Sequence, residues 1–206
     1  MEETITSVNP SAMPENKAMR AFAKGELKGN WTQPVLCTLV YFIVTGAVSA
    51  IPVVSWVSFL ILCPLTFGYA LTCLNYMRGQ NREEMVSQPF QVFKEYGRTL
   101  GTSLLMYIFI ALWSLLLFIP GIIMSYAYAM TPYLMKDNPE MGAMECIKKS
   151  KAMMKGYKWK LFLLDLGFIG WILLTIITFG IYGFWLQPWM QCTRAKFYEE
   201  LKARQN

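Results

Sequence analysis

"TLGTSLLMYIFIALWSLLLFIPGIIMSYAYAMTPYLM", residues 99–135, is 37 residues long and carries no charge. A helix rises about 1.5 Å per residue and the hydrocarbon core of a bilayer is about 30 Å thick, so one crossing takes roughly 20 residues. The stretch is nearly twice that length, and "FIPGII" at 118–123 puts a Pro-Gly turn signal near its middle. Two antiparallel helices joined by a short turn fit it best. Two similar stretches flank it. Residues 34–77 contain "AIPVV" at 50–54, and residues 161–193 contain "TFGIYG" at 178–183. The pattern predicts six crossings at about 34–50, 53–77, 99–118, 121–135, 161–178 and 181–197.

Composition agrees with a membrane protein. Of 206 residues 55% are hydrophobic and 16% charged, against about 25% charged in soluble domains. All 19 Lys and Arg residues fall in four segments: 1–33, 78–98, 136–160 and the tail from 194. Twelve of the 13 acids lie there too, and Asp165 is the only charge inside the three apolar stretches. Lys and Arg concentrate in cytoplasmic segments. Three hairpins therefore place every basic segment and both termini in the cytoplasm, with three short uncharged turns outside. No cleavable signal peptide is evident, since 33 polar residues precede the first apolar run. Residues 1–14 read as a disordered lead, and 15–206 as a single all-α integral-membrane domain.

A stretch able to form an amphipathic helix precedes each hairpin. Before the third, Ala143, Cys146, Ile147, Ser150, Met153, Met154 and Tyr157 follow helical spacing, with Lys148, Lys151 and Lys155 opposite. Asn138 before Pro139 predicts the helix start. Before the first, Lys17, Arg20, Lys24 and Lys28 line one side, with Met19, Phe22 and Ala23 away from it. The middle stretch, "QPFQVFKEYGR", is shorter and less clear. The junctions "LKGNW", "FKEYG" and "MKGYKW" resemble one another, which suggests three repeats of interfacial helix plus hairpin. Helices of this kind lie at the membrane–water boundary, where anionic headgroups attract lysine. Lys148, Lys149, Lys151, Lys155, Lys158 and Lys160 are the candidate contacts. Two readings of them stand: an anionic-lipid surface, or a basic loop that only sets topology.

Several long stretches resemble a bacterial integral-membrane family known as domain of unknown function 975. They are "AKGELKGNW", "IPGIIMSYAYAMTPYLMKDNPEMGAMECIKKSKAMMKGYKWKLFLLDLGFIGWILL" and "LQPWMQCTRAKFYEEL". The likeness covers nearly all of 17–202, with Trp189 at a position where the family more often has a tyrosine-like residue. In its "P…D…A…S…G…W" pattern the family is similar to the membrane domain attached to some glycerophosphodiester phosphodiesterases. The resemblance implies a multi-pass protein of the bacterial inner membrane and no particular reaction.

The chain has no histidine, which removes Ser-His-Asp and Cys-His arrangements and the commonest metal ligand. Cys37, Cys63, Cys73, Cys146 and Cys192 show no C-x-x-C pairing and read as packing residues. No phosphate-binding glycine loop is present. Trp31, Trp159, Tyr76, Tyr133 and Trp189 fall near expected boundaries, where an interface belt of aromatics belongs. No catalytic residue, metal, cofactor or nucleic-acid surface is expected. An ionised Asp165 in hydrocarbon costs at least about 3 kcal/mol, so it needs a partner, a proton or a protein surface. Lys158, Lys160, Asn75, Arg78 and Arg194 are within reach, and Gln187 and Gln191 interrupt the last crossing. Asp165, Asn75, Arg78, Gln187, Gln191 and Arg194 thus form the candidate intramembrane polar site. Its role is either a structural pairing or the binding of a cation, a proton or a lipid amine.

The expected function is that of a non-enzymatic accessory, scaffold or lipid-interacting bundle, with membrane lipid and a cytoplasmic or membrane protein as partners. The alternative is a small transporter or lipid-translocating protein, with its site among the proline-containing crossings and Asp165.

Overall fold

The computed structural model describes residues 13–49, 55–80, 82, 84–116 and 118–204. The first expected turn, at 50–54, lies outside them, as do residues 1–12 of the expected disordered lead. Among the described residues there are ten α-helices, one 3₁₀ helix and no strand. In chain order they are α1 Asn16–Leu27, α2 Thr32–Ser49, α3 Ser55–Met77, the 3₁₀ helix Gln88–Glu95, α4 Tyr96–Leu116 and α5 Phe118–Tyr128. These are followed by α6 Thr131–Asp137, α7 Ala143–Met153, α8 Lys158–Leu166, α9 Ile169–Ile177 and α10 Gly183–Lys202. Among the described residues, four helical segments are long and apolar enough to cross a membrane by length and composition: Thr32–Ser49, Leu60–Met77, Gln88–Leu115 and Lys158–Ile177.

The remaining two expected crossings take other forms. Residues 121–135 are split between α5 and α6, because Pro132 in the first turn of α6 has no N–H to continue the preceding helix. Pro120 and Gly121, expected as the turn itself, sit in the first turn of α5, where proline is tolerated. There α5 packs against α4, and a Cβ on Gly121 would collide with Ser114 of α4. The last helix runs on to Lys202 and carries the charges of the tail, so it does not qualify by composition as a span. Pro188 lies inside it without ending it. The third turn falls where expected, with Phe179 and Gly180 both at positive φ.

Two other helix interiors need special chemistry. Pro64 inside α3 leaves the Leu60 carbonyl without its helical donor. The Tyr96 hydroxyl donates to that carbonyl at 3.4 Å. Buried threonines bond back one turn, as Thr38 does to Pro34 at 2.8 Å and Thr72 to Gly68 at 2.8 Å. No polar group on these side chains then faces an apolar neighbour unpaired.

The amphipathic stretches differ in kind. In α7, Cys146, Ile147, Ser150 and Met153 are buried and Lys148, Lys149 and Lys151 are exposed, as is Lys155 in the turn that follows. The helix starts at Ala143 behind Gly142, while Asn138 caps the C-terminus of α6. Its apolar face packs on α4, α5 and α6, so it rests on protein and not on a bilayer. The middle stretch is the 3₁₀ helix, lying so close to α3 that a Cβ on Gly68 would meet the Pro89 backbone. In α1, Met19, Ala23 and Leu27 are buried, while Phe22 is exposed beneath the Lys196 ammonium, 4.4 Å from its ring centroid. Met13, expected in the disordered lead, is buried in the core.

Burial is uneven along the molecule. The core lies where α1, the C-terminal half of α3, α6, α8 and α10 meet. Outside it, α2, the far half of α4, α5 and α9 expose large apolar side chains, with Leu115 88% and Phe179 98% exposed. The aromatic belt is not formed as expected. Tyr76, Tyr133 and Trp189 are buried in the core, while Trp159 is exposed.

Direct contacts join all four basic segments. Arg82 pairs with Glu26, Arg78 with Asp137, and Lys202 with Asp137. Arg98 donates to the carbonyls of Met135, Asn138 and Met141. Lys160 Nζ donates to the Met13 carbonyl at 2.7 Å, and Asn16 to the Lys160 carbonyl at 3.0 Å. The four basic segments therefore meet in one charged region.

Candidate functional site

Asp165 finds a partner on α10. Arg194 Nη2 lies 2.7 Å from Oδ2 and Nε 3.1 Å from Oδ1, a two-pronged contact that holds α8 against α10. Such geometry is the strongest form of ion pair available to arginine. Beside it lies a cavity of about 400 Å³, bounded by Thr66, Phe67 and Ala70 of α3, Met106 of α4, Tyr126 of α5, Tyr133 of α6, and Gln191 and Arg194 of α10. Its walls are mostly apolar, with an arginine, a glutamine and four tyrosine rings among the lining.

The other candidates lie elsewhere. Asn75 donates to Gln88 Oε1 at 2.8 Å and lines a second cavity. Gln187 lines a third, with Phe42, Ile172 and Met190. Arg78 forms the densest charged cluster among the described residues. Its guanidinium reaches both Asp137 oxygens at 2.7 and 2.8 Å and Glu199 Oε1 at 2.7 Å. Tyr198 and Lys202 add bonds of 2.8 and 2.6 Å to Asp137 Oδ2. Burial alone would raise the Asp137 carboxyl, but the bonds from Arg78, Lys202 and Tyr198 outweigh it and hold it below its ordinary value. Asp137, and after it Glu199, in turn holds the Arg78 guanidinium firmly charged, its pKa raised in spite of burial. The sequence reading missed Asp137, Tyr198 and Glu199. The available signal was that Arg78 and Asp137 each stand within two residues of the end of an apolar run.

The lysines divide as well. Lys148, Lys149 and Lys151 stand exposed on α7 and Lys155 in the turn after it, and Lys149 borders a small cavity with Asp137 and Lys202. Lys158 is half-buried, and Lys160 is committed to the N-terminal segment. At the break between α8 and α9, the Arg20 guanidinium donates to the Gly167 carbonyl and lies 5.5 Å from the Phe168 ring centroid. Lys24 sits 5.0 Å from the centre of the Trp189 ring. Arg20 and Lys24 of the basic side of α1 are thus spent on the α8–α9 break and on α10. All five cysteines are free and buried, as packing residues are.

A family model described as "Protein of unknown function (DUF975)" matches residues 13–124 and 115–205. The chain belongs to that family. No curated protein and no solved structure matches it. The DUF975 description carries no activity, so any function has to be argued from the chemistry of this chain's own side chains.

Proposed function

We propose that this DUF975 chain is a non-enzymatic, lipid-interacting protein of the bacterial inner membrane. It crosses the bilayer six times as three hairpins, with both termini in the cytoplasm. The observation that carries the reading is the joining of all four basic segments at one end, with exposed apolar helices leading away from it. A chain that returns to its starting side after each apolar stretch crosses an even number of times. The positive charge then assigns that side to the cytoplasm. The broken α5–α6 pair fits the membrane because the break is covered by protein: Met130, Thr131 and Pro132 are all buried.

Lipid enters through the lysines of α7. Their helix is anchored by its apolar face, so the exposed lysines of α7, with Lys155 just past its end, are displayed at the charged end. Each basic group near an anionic membrane contributes about 1 kcal/mol. A protein partner, where there is one, docks on this same cytoplasmic face.

The test is the full chain in nanodiscs. It melts higher in phosphatidylglycerol than in phosphatidylcholine, and high salt narrows the gap. Replacing Lys148, Lys149, Lys151 and Lys155 together with Gln removes most of the gap while leaving the phosphatidylcholine melt in place. Equal melts in the two lipids would reject the lipid reading.

A second reading, a small translocating protein, draws on the cavity of about 400 Å³ beside Arg194. It lies where the fourth crossing is interrupted, an arrangement that transporters use for their sites. Substitution of Ala129 by Phe would fill the cavity. On this reading it abolishes function without loss of the folded protein, whereas the lipid-surface reading predicts no functional effect.

A further inference from the structure

The charged end holds a cavity of about 270 Å³ between α3, the 3₁₀ helix, the start of α4 and the end of α6. Three cations line it, one from each of three elements: Lys94, Arg98 and Lys136. Glu95 is the one carboxylate in the lining. It is 65% exposed and lies 3.3 Å from Arg98. Among the described residues neither Lys94 nor Lys136 has an acidic partner within ion-pair distance, although five other basic side chains in this half of the molecule do. Asn75 adds a different signal from the same wall. Its Nδ2 donates to Gln88, while its buried Oδ1 accepts from nothing. A buried acceptor left unpaired is costly, and native structures avoid it.

We propose that this cavity binds a phosphate-bearing anion. The cations supply the charge, and the unpaired Asn75 acceptor calls for a ligand that also donates a hydrogen bond, as a protonated phosphate oxygen or a neighbouring hydroxyl does. Lys136 supports the assignment. Its ammonium is pushed below the usual lysine range by burial and by Arg78, with Asp137 opposing. An anion in the cavity relieves that cost directly. The orientation of the groups also matters. The Arg98 guanidinium is fixed by three backbone carbonyls, and the 3₁₀ helix that carries Lys94 is seated on Gly68, so two of the three cations ride on rigid supports.

The phosphate has two sources, a lipid headgroup at the membrane surface or a free phosphate in the cytoplasm. The inference rests on the lipid-interacting reading only for the first of these.

The experiment uses the full-length protein and two probes. Inorganic phosphate and sulfate are titrated against detergent-purified protein by thermal shift. Phosphatidylglycerol and phosphatidylcholine are compared in nanodiscs by native mass spectrometry. Retention of phosphate in detergent identifies a free-phosphate site, and retention of phosphatidylglycerol alone identifies a headgroup site; both uphold the cavity. In either arm Lys136→Gln and Lys94→Gln each weaken binding by roughly tenfold or more, as expected for loss of a charged hydrogen bond. Phosphate is preferred to sulfate, which has no proton to give Asn75 at neutral pH, and Asn75→Leu erases that preference. The fourfold α7 lysine variant leaves cavity binding unchanged. No binding of either probe, or binding indifferent to Lys136→Gln and Lys94→Gln in variants that melt normally, would overturn the proposal. If only the α7 variant loses its response to phosphatidylglycerol, the cavity assignment fails and the lipid-surface reading stands. If the cavity binds phosphate while the α7 variant behaves as wild type, the reverse holds.

Discussion

At the scale of single residues, two carboxylates organise the molecule and answer to different tests. Asp165 is 13% exposed and meets Arg194 through both oxygens. Breaking a buried pair on one side leaves the other charge stranded, at a cost of roughly 3–5 kcal/mol where burial is complete. Asp165→Leu therefore lowers the melting temperature sharply. Asp165→Asn keeps an acceptor and loses less, and Asp165→Leu with Arg194→Leu recovers part of the loss. Melts of the three variants in one detergent check this. If the Asn variant melts normally and yet lacks the wild-type function, the role is functional instead. Asp137 adds a pH dependence. Its folded pKa lies below the unfolded value of about 4. Its stabilisation is therefore complete above pH about 4 and disappears as pH falls through the folded value. Acid melts of the wild type fall in that window, and those of Asp137→Asn fall less steeply. The Asp165 partner was within reach of sequence reasoning, because a lone acid in an apolar run demands a cation and only a few stood near. Asp137 offered only its place at the end of an apolar run, since its partners, Arg78 just past α3 and Tyr198 and Lys202 of α10, lie far away along the chain.

At the scale of elements, apolar length and breakers located most helices, and local backbone chemistry moved their ends. "TFGIYG" became the third turn because Gly180 takes a positive φ that other residues resist. "FIPGII" did not become the second, because proline in a first helical turn forfeits no hydrogen bond. Helical spacing in α7 identified which side is apolar, yet spacing alone cannot say whether lipid or protein covers that side. Here Ala127 and Tyr128 of α5 pack on Ile147, and Ser150 donates to the Ala127 carbonyl at 2.8 Å. The 3₁₀ helix supplies a test at this scale. A methyl group on Gly68 meets the Pro89 backbone, and overpacking of this kind costs about 1–3 kcal/mol. Gly68→Ala is expected to lower the melting temperature and to loosen the phosphate-cavity wall, seen as faster hydrogen exchange over Gln88–Glu95. Unchanged exchange and an unchanged melt would contradict the close seating of the two elements.

At the scale of the whole molecule, charge segregation gives the account its direction. The basic segments converge, the apolar helices run outward from them, and the third turn carries Phe179, almost wholly exposed, at its tip. In a membrane the two ends lie in different compartments. All five native cysteines are buried, so a single introduced cysteine reports its own compartment with little background. The most direct measurement is labelling of Phe179→Cys and Lys151→Cys in intact bacterial cells with a maleimide that cannot cross the inner membrane. Phe179→Cys is expected to be labelled in intact cells, and Lys151→Cys only after the membrane is opened. Equal labelling of both in intact cells, or the reverse order, would contradict a bundle that returns three times to a cytoplasmic basic end.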